Sequence, residues 1–246
     1  MIDMHCHILP GIDDGSPDIE ESIRMAIRAV KAGYTGVFAT SHYMEIDLEN
    51  EKELILKKVI EVNKRLHEDH INFEVYPGHE VYFTPNIPKL LEENKICTLG
   101  NSKYLLMELP MVGKPLNTEL VLEQIISMGY VPIIAHPERY DFVNGNIKSL
   151  YPLLELGALM QINAGSIEGI YGTQVKKNVI QLLKNNMVHF VGTDAHDFKT
   201  IYNPLESAME KINKLITIQQ SKMIFEVNPN AVKSNKTIFG AMFKSK

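Results

Sequence analysis

Short apolar runs alternate along the chain with longer segments whose apolar residues recur every three or four positions. The runs at 2–7, 36–41, 73–77, 104–109, 131–135, 159–163 and 189–193 predict seven strands. Between them, Ile19, Ile23, Ala26, Ile27 and Val30 form a helical stripe, with Ser16-Pro17 read as N-cap and first helical residue and Gly33 as its close. Ile55, Val59, Val62 and Leu66 form a second stripe. Val121, Leu122, Ile125 and Ile126 form a third, ended by Gly129, and Leu150, Leu153 and Leu154 run to Gly157. Val175, Val179, Leu182 and Leu183 precede the seventh strand, and Leu205, Ala208, Ile212 and Leu215 follow it. From about Val227 the period fades, and Asn235-Lys236-Thr237-Ile238-Phe239 is expected to pack on the outside.

Strand-helix alternation with short connections predicts an α/β fold: a parallel sheet closed into a distorted TIM-like (β/α)7 barrel, with residues 1–246 as one domain. In such barrels the C-terminal ends of the strands share one mouth. His5, His7, His42, Glu80, Glu108, His136, Asp194 and His196 all fall at or just past those ends. A single histidine there is more often an ordinary half-buried side chain, but five of the nine histidines, accompanied by carboxylates, make coincidence a poor account. Period-two alternation puts His5 and His7 on one face and turns Cys6 away. The same rule turns His79 from the mouth, while His67 and His70 lie at a helix end and His189 at the start of a strand, so those four are set aside.

Composition narrows the chemistry. A net charge of -5 with interleaved lysines and glutamates carries no nucleic-acid footprint and no polybasic membrane patch. Cys6 and Cys97 are too few for a disulfide framework, and no apolar run reaches about 18 residues, so a cytoplasmic protein without membrane insertion is expected. Mixed imidazole and carboxylate ligands without thiolate suit Mn, Fe, Zn or Co. Carboxylates that bridge paired divalent ions point to in-line displacement at phosphorus. Three such ions among Asp14, Glu80, Glu108 and Asp194 would leave about two positive charges, a match for a phosphate monoester dianion.

The opening, Met1-Ile2-Asp3-Met4-His5-Cys6-His7-Ile8-Leu9-Pro10-Gly11-Ile12-Asp13-Asp14-Gly15, resembles that of the PHP (polymerase and histidinol phosphatase) superfamily. Within it, the chain is most similar to the manganese-dependent protein-tyrosine phosphatases of bacterial capsular and exopolysaccharide synthesis. Ala39-Thr40-Ser41-His42, Pro77-Gly78-His79-Glu80, Leu106-Met107-Glu108, Ala135-His136-Pro137-Glu138-Arg139 and Thr193-Asp194-Ala195-His196 follow in the family's order. The resemblance implies three ions, Mn2+ first among the candidates. His5, His7, Glu80 and Asp194 would hold one, Glu80 with Glu108 and His136 a second, and Asp14, His42 and His196 a third. It implies hydrolysis of phosphotyrosine by a hydroxide bridging two ions, with the tyrosine-rich tail of a bacterial tyrosine kinase as partner.

Arg139, three residues after His136, is placed to hold phosphoryl oxygens with its planar fork. The other arginines, Arg24, Arg28 and Arg65, fall on predicted helices expected to lie away from the mouth. The family's further arginine after the Asp-Ala-His block is absent from Asp197-Phe198-Lys199-Thr200-Ile201-Tyr202, where Lys199 offers charge without a fork. Asp13 is a candidate helper against a plainer solvated or capping role. Tyr43, Tyr82, Phe83, Tyr140 and Tyr171 are candidates to line a cleft. A cysteine mechanism needs an arginine six positions on, where Cys6 has Ile12 and Cys97 has Lys103. Two alternatives stand beside the tyrosine phosphatase: a small-molecule phosphomonoesterase such as a histidinol phosphatase, and a binding module with a vestigial site. Oligomeric state and the native metal are not encoded legibly.

Overall fold

The computed structural model describes residues 1–199 and 205–238. In chain order the strands are β1 (Ile2–Cys6), β2 (Gly36–Ala39), β3 (His42–Tyr43), β4 (Glu74–Pro77), β5 (Glu80–Tyr82), β6 (Tyr104–Glu108), β7 (Val131–Ala135), β8 (Leu159–Asn163) and β9 (Phe190–Gly192). The helices are α1 (Ile19–Lys31), α2 (Lys52–Glu68), α3 (Ile87–Glu92), α4 (Thr118–Ser127), α5 (Tyr151–Leu156), α6 (Ala164–Glu168), α7 (Thr173–Lys184), α8 (Leu205–Asn213), α9 (Ile218–Lys222) and α10 (Asn228–Lys233). All paired strands are parallel, in the orders β1-β2-β4 and β3-β5-β6-β7-β8-β9. Two of the seven predicted strands are each followed by a short further strand that was not anticipated, β3 after β2 and β5 after β4. Beyond β9, the Asp194 amide donates to the His5 carbonyl at 2.8 Å and the His7 amide to the Ala195 carbonyl at 2.9 Å, so the order returns to β1.

Alternation sorts the strand residues into two cores. Ile2, Met4, Phe38, Tyr104, Leu106, Ile133, Ala135, Leu159 and Phe190 point inward and pack together, while Val37, Leu105, Met107, Ile134, Met160, Ile162 and Val191 face the helices. Continuing the inward series toward the mouth gives Glu108, then Gln161 with Asn163, then Asp194. On β1 the inward series would have run Ile2, Met4, Cys6. A bulge places three steps of β1 (Asp3 to Cys6) against two of β2 (Val37 to Ala39), which reverses the faces and turns His5 and His7 inward.

Two expectations are corrected. The N-cap of α1 is Asp18, whose side chain accepts the Glu21 amide at 2.8 Å, because Ser16 is tied into the preceding loop by its amide on the His7 carbonyl. The segment after Val227 is not simply external: α10 sends fully buried Val232 into the inner cluster, with Ile238 packed against it, closing the end remote from the mouth. Phe239 lies outside the described residues. α3, α6 and α9 carried no long stripe and were not anticipated.

His189 fits its reading as a structural residue. It is buried just before β9, and its Nδ1 accepts the Met160 amide at 3.1 Å. Burial pushes its pKa down to about 4. The unfolded chain takes up this proton near pH 6.5 and the folded chain only near 4, so the associated stability is complete above 6.5 and is lost as pH falls toward 4. By pH 5 this one group is expected to cost about 2 kcal/mol. Urea-unfolding midpoints at pH 7 and 5, with His189→Gln flattening the difference, test it.

Candidate metal centre

The strand ends bring all nine expected ligands together. His5 Nε2 lies 3.2 Å from Glu80 Oε2, 3.3 Å from Asp194 Oδ1 and 3.2 Å from His7 Nε2. His7 Nε2 is 3.4 Å from the same Glu80 oxygen and 3.5 Å from Asp194 Oδ1. The other Glu80 oxygen faces His136 Nε2 at 2.9 Å, and Glu108 Oε1 is 3.7 Å from that nitrogen. At the open side, Asp14 Oδ1 is 3.6 Å from His42 Nε2 and 3.5 Å from His196 Nε2. Asp14 alone in the cluster is well exposed, its side chain at 68%. Four overlapping sets of donor atoms lie within 4.8 Å: His7, Asp14, His42 and His196; His5, His7 and Glu80; His5, His136 and Asp194; His42, Glu80 and Glu108.

The hydrogen-bond network fixes what these atoms can accept. His5 Nδ1 meets Gln161 Oε1 at 2.9 Å, while Gln161 Nε2 donates to the Ile162 carbonyl and to Asn163 Oδ1, which orients the amide. His7 Nδ1 meets Asp13 Oδ2 at 2.9 Å. Both Nδ1 atoms face acceptors and so carry the hydrogen in the neutral rings, leaving the Nε2 lone pairs 3.2 Å apart and pointed at each other. Two facing lone pairs, with two carboxylate oxygens beside them, do not satisfy one another; a shared cation does. Buried Glu80 Oε2, His42 Nδ1 and His136 Nδ1 also lack hydrogen-bond partners, so the donor set fits one or more divalent ions.

The titration directions agree. Burial opposes a charged His5, yet Glu80 and Asp194 outweigh it and lift its pKa to about 9. His7 is likewise raised well above its ordinary value against burial, chiefly by Asp13. Glu80 is held well below the carboxylate range, against burial, by His5 and His136, and Asp194 is lowered similarly, against burial, by His5 and His7. Glu108 is pushed up to about 7 by burial and by the Glu80 charge. Excess carboxylate thus keeps protons where cations would sit.

Supporting residues occupy the layer behind. Asp13 accepts from His7 and from the His42 and Gly15 amides, with its side chain fully buried, so it is an orienting carboxylate rather than a mobile helper. Asn163 Nδ2 donates to Asp194 Oδ2 at 2.6 Å, and Glu138 Oε1 accepts from the Asn163 amide and the Ser166 hydroxyl. Gln161 and Asn163 thereby link two of the expected ligands, His5 and Asp194. Neither was anticipated, although polar residues at two successive inward positions of an apolar strand were a readable sign.

Arg139 reaches Asp194 Oδ2 with one Nη at 3.1 Å and lies over the Tyr171 ring at 4.6 Å. Lys199 is exposed, 5.6 Å from the Phe198 ring, while Thr200, Ile201 and Tyr202 lie outside the described residues. Tyr82 and Phe83 wall a hollow with Met44 and Glu45. Tyr43 and Tyr140 are instead buried structural residues, Tyr140 donating to the Ala135 carbonyl and accepting the Leu109 amide. Arg24 departs from expectation: it lines a concavity with Asp14, His196 and Phe198, at the mouth rather than away from it.

Residues 1–233 match the family described as capsular polysaccharide synthesis, CpsB/CapC. The chain is 36% identical over 239 residues to the tyrosine-protein phosphatase YwqE of Bacillus subtilis (strain 168), covering 97% of this chain and 94% of that protein. It is 29% identical to the tyrosine-protein phosphatase CpsB of Streptococcus pneumoniae, covering 94% and 98%. A solved structure from work on YwqE and CpsB, described as unique metal-dependent tyrosine phosphatases, superposes with a TM-score of 0.93 at 35% identity over 98% and 97% of the two chains. A histidinol phosphate phosphatase from Lactococcus lactis shares the fold, with a TM-score of 0.58 at 15% identity over 87% and 93%. No helix among the described residues is long and apolar enough to cross a membrane. With its fold, the histidines and carboxylates gathered at its strand ends and its near-complete overlap with these relatives, the chain belongs to the CpsB/CapC family of capsular polysaccharide synthesis.

Proposed function

We propose that residues 1–246 form one metal-dependent protein-tyrosine phosphatase domain that acts on a phosphotyrosyl protein, a bacterial tyrosine kinase governing capsular or exopolysaccharide synthesis. The observation that carries the reading is the pair of lone pairs on His5 and His7, enclosed with Glu80 and Asp194, which calls for a cation in the barrel mouth. His5, His7, Glu80 and Asp194 would hold one ion, Glu80, Glu108 and His136 a second, and Asp14, His42 and His196 a third, with Mn2+ favoured. When bound, such ions activate water at neutral pH and neutralise charge on phosphoryl oxygens.

The chain's own residues set the rest. Asp13 and Gln161 fix the His7 and His5 rings with their Nε2 atoms inward. Arg139, stacked on Tyr171 and steadied by Asp194, turns a guanidinium toward the cluster, where it holds equatorial phosphoryl oxygens in the transition state. A tyrosine leaving group ionises near pKa 10 and needs little protonation to depart, consistent with a site whose buried carboxylates are engaged with imidazoles.

The test is phosphate release by metal-stripped protein with and without Mn2+, from a phosphotyrosyl peptide and from histidinol phosphate in parallel. Stripping is expected to lower peptide turnover at least about a hundredfold, with Mn2+ restoring it. Preference for histidinol phosphate would move the function to small-molecule metabolism, and no release from either would favour a binding role.

A further inference from the structure

Beside Asp14 and His196 the mouth opens into a concavity of about 580 Å³ whose outer wall is Arg24, Phe198 and Lys199. Arg24 comes from α1 and the other two from the segment that follows β9. The Arg24 guanidinium stands 5.4 Å from the centre of the Phe198 ring and the Lys199 ammonium 5.6 Å from it, so two cations attend one aromatic ring.

Glu21 builds this wall. Only 7% exposed, it takes Arg24 Nε at 2.9 Å and one Nη at 2.7 Å on the same oxygen, and the Phe198 amide at 3.1 Å on the other. That clamp costs Arg24 two of its five N–H donors and leaves the other three on a side chain that is half exposed, at 50%. Of the remaining acids on the concavity, Asp14 is turned to His42 and His196, and Asp197 accepts the Lys199 amide. Arg139 approaches the ligand cluster at Asp194, whereas Arg24 stands beyond Asp14. A phosphoryl group centred on the cluster therefore leaves Arg24 to the neighbouring part of the substrate.

We propose that Arg24, assisted by Lys199, is a specificity residue that receives an acidic side chain flanking the phosphotyrosine. This rests on the phosphatase reading above. A carboxylate matches the planar guanidinium edge, and clamping by Glu21 reduces the ordering needed on binding.

Two phosphotyrosyl peptides, identical except for Glu or Ala on both sides of the phosphotyrosine, test it on the Mn2+-loaded full chain. The wild type is expected to favour the Glu peptide by about tenfold, in KM rather than kcat, as fits one partly desolvated charge-assisted contact. Arg24→Gln removes that preference, Arg24→Lys keeps part of it, and Lys199→Gln, which spares the Glu21 clamp, weakens it. An equal loss on both peptides, or a wild type that does not discriminate between them, overturns the inference while leaving the phosphatase reading intact. A wild type that hydrolyses neither peptide removes both.

Discussion

Glu80→Gln is expected to lower phosphotyrosine turnover by about a thousandfold or more, while leaving the barrel folded. One Glu80 oxygen stands within 3.4 Å of nitrogens on His5, His7 and His42, and the other stands 2.9 Å from His136. One carboxylate thus joins every imidazole of the cluster except that of His196. Glutamine keeps the shape but removes the charge and replaces one carboxylate oxygen with an NH2 that has no lone pair to offer a cation. In the metal-free protein the same change has a second signature. Glu80 is the leading influence that lifts His5 against the pull of burial to about 9, so His5 in the variant must titrate at lower pH. An NMR titration of the metal-free variant reads this without reference to turnover. Activity within tenfold of wild type, or a His5 titration that does not move, would sink the central role given to Glu80.

What the sequence disclosed, and what it hid, follows from the range of each interaction. Period-two alternation is local, so the inward placement of Glu108 was available from the strand itself, and the strand-end rule brought His136 and Asp194 to the same mouth. The bulge in β1 is not local. Without it Cys6 would continue the inward series of Ile2 and Met4, and only the register against β2 shows that the chain gains a residue there. Ser16 has the chemistry of an N-cap, but its backbone is held by His7 and the cap falls to Asp18. Arg24 sits on a helical surface whose direction relative to the barrel axis no pattern in α1 records. Val232 reads as part of an irregular tail, although its tertiary role is to fill the bottom of the inner core.

Gly192 shows the same limit with a larger consequence, since Gly192-Thr193 reads as an ordinary strand end. A Cβ at Gly192 would lie 2.6 Å from the Cβ of His5 and 2.8 Å from Gln161 Nε2. The first of these is not the end of a flexible side chain. It can be relieved only by moving β1 away from β9, the junction at which the Asp194 amide meets the His5 carbonyl. Gly192→Ala is therefore expected to displace His5 and Asp194 together and to break the Gln161 contact that fixes the His5 ring, weakening Mn2+ binding at least about a hundredfold. Competition against a chromophoric chelator measures that affinity directly, and an unfolding curve taken in the absence of metal separates it from loss of the fold. The displacement also constrains which ion suffers. His42, His196 and Asp14 do not touch Gly192, so binding at the open side should persist after the inner ion is lost, and the titration should lose a tight phase while keeping a weaker one. Uniform loss of every phase would mean that the three expected positions behave as one cooperative cluster, and unchanged affinity would mean that His5 does not hold an ion.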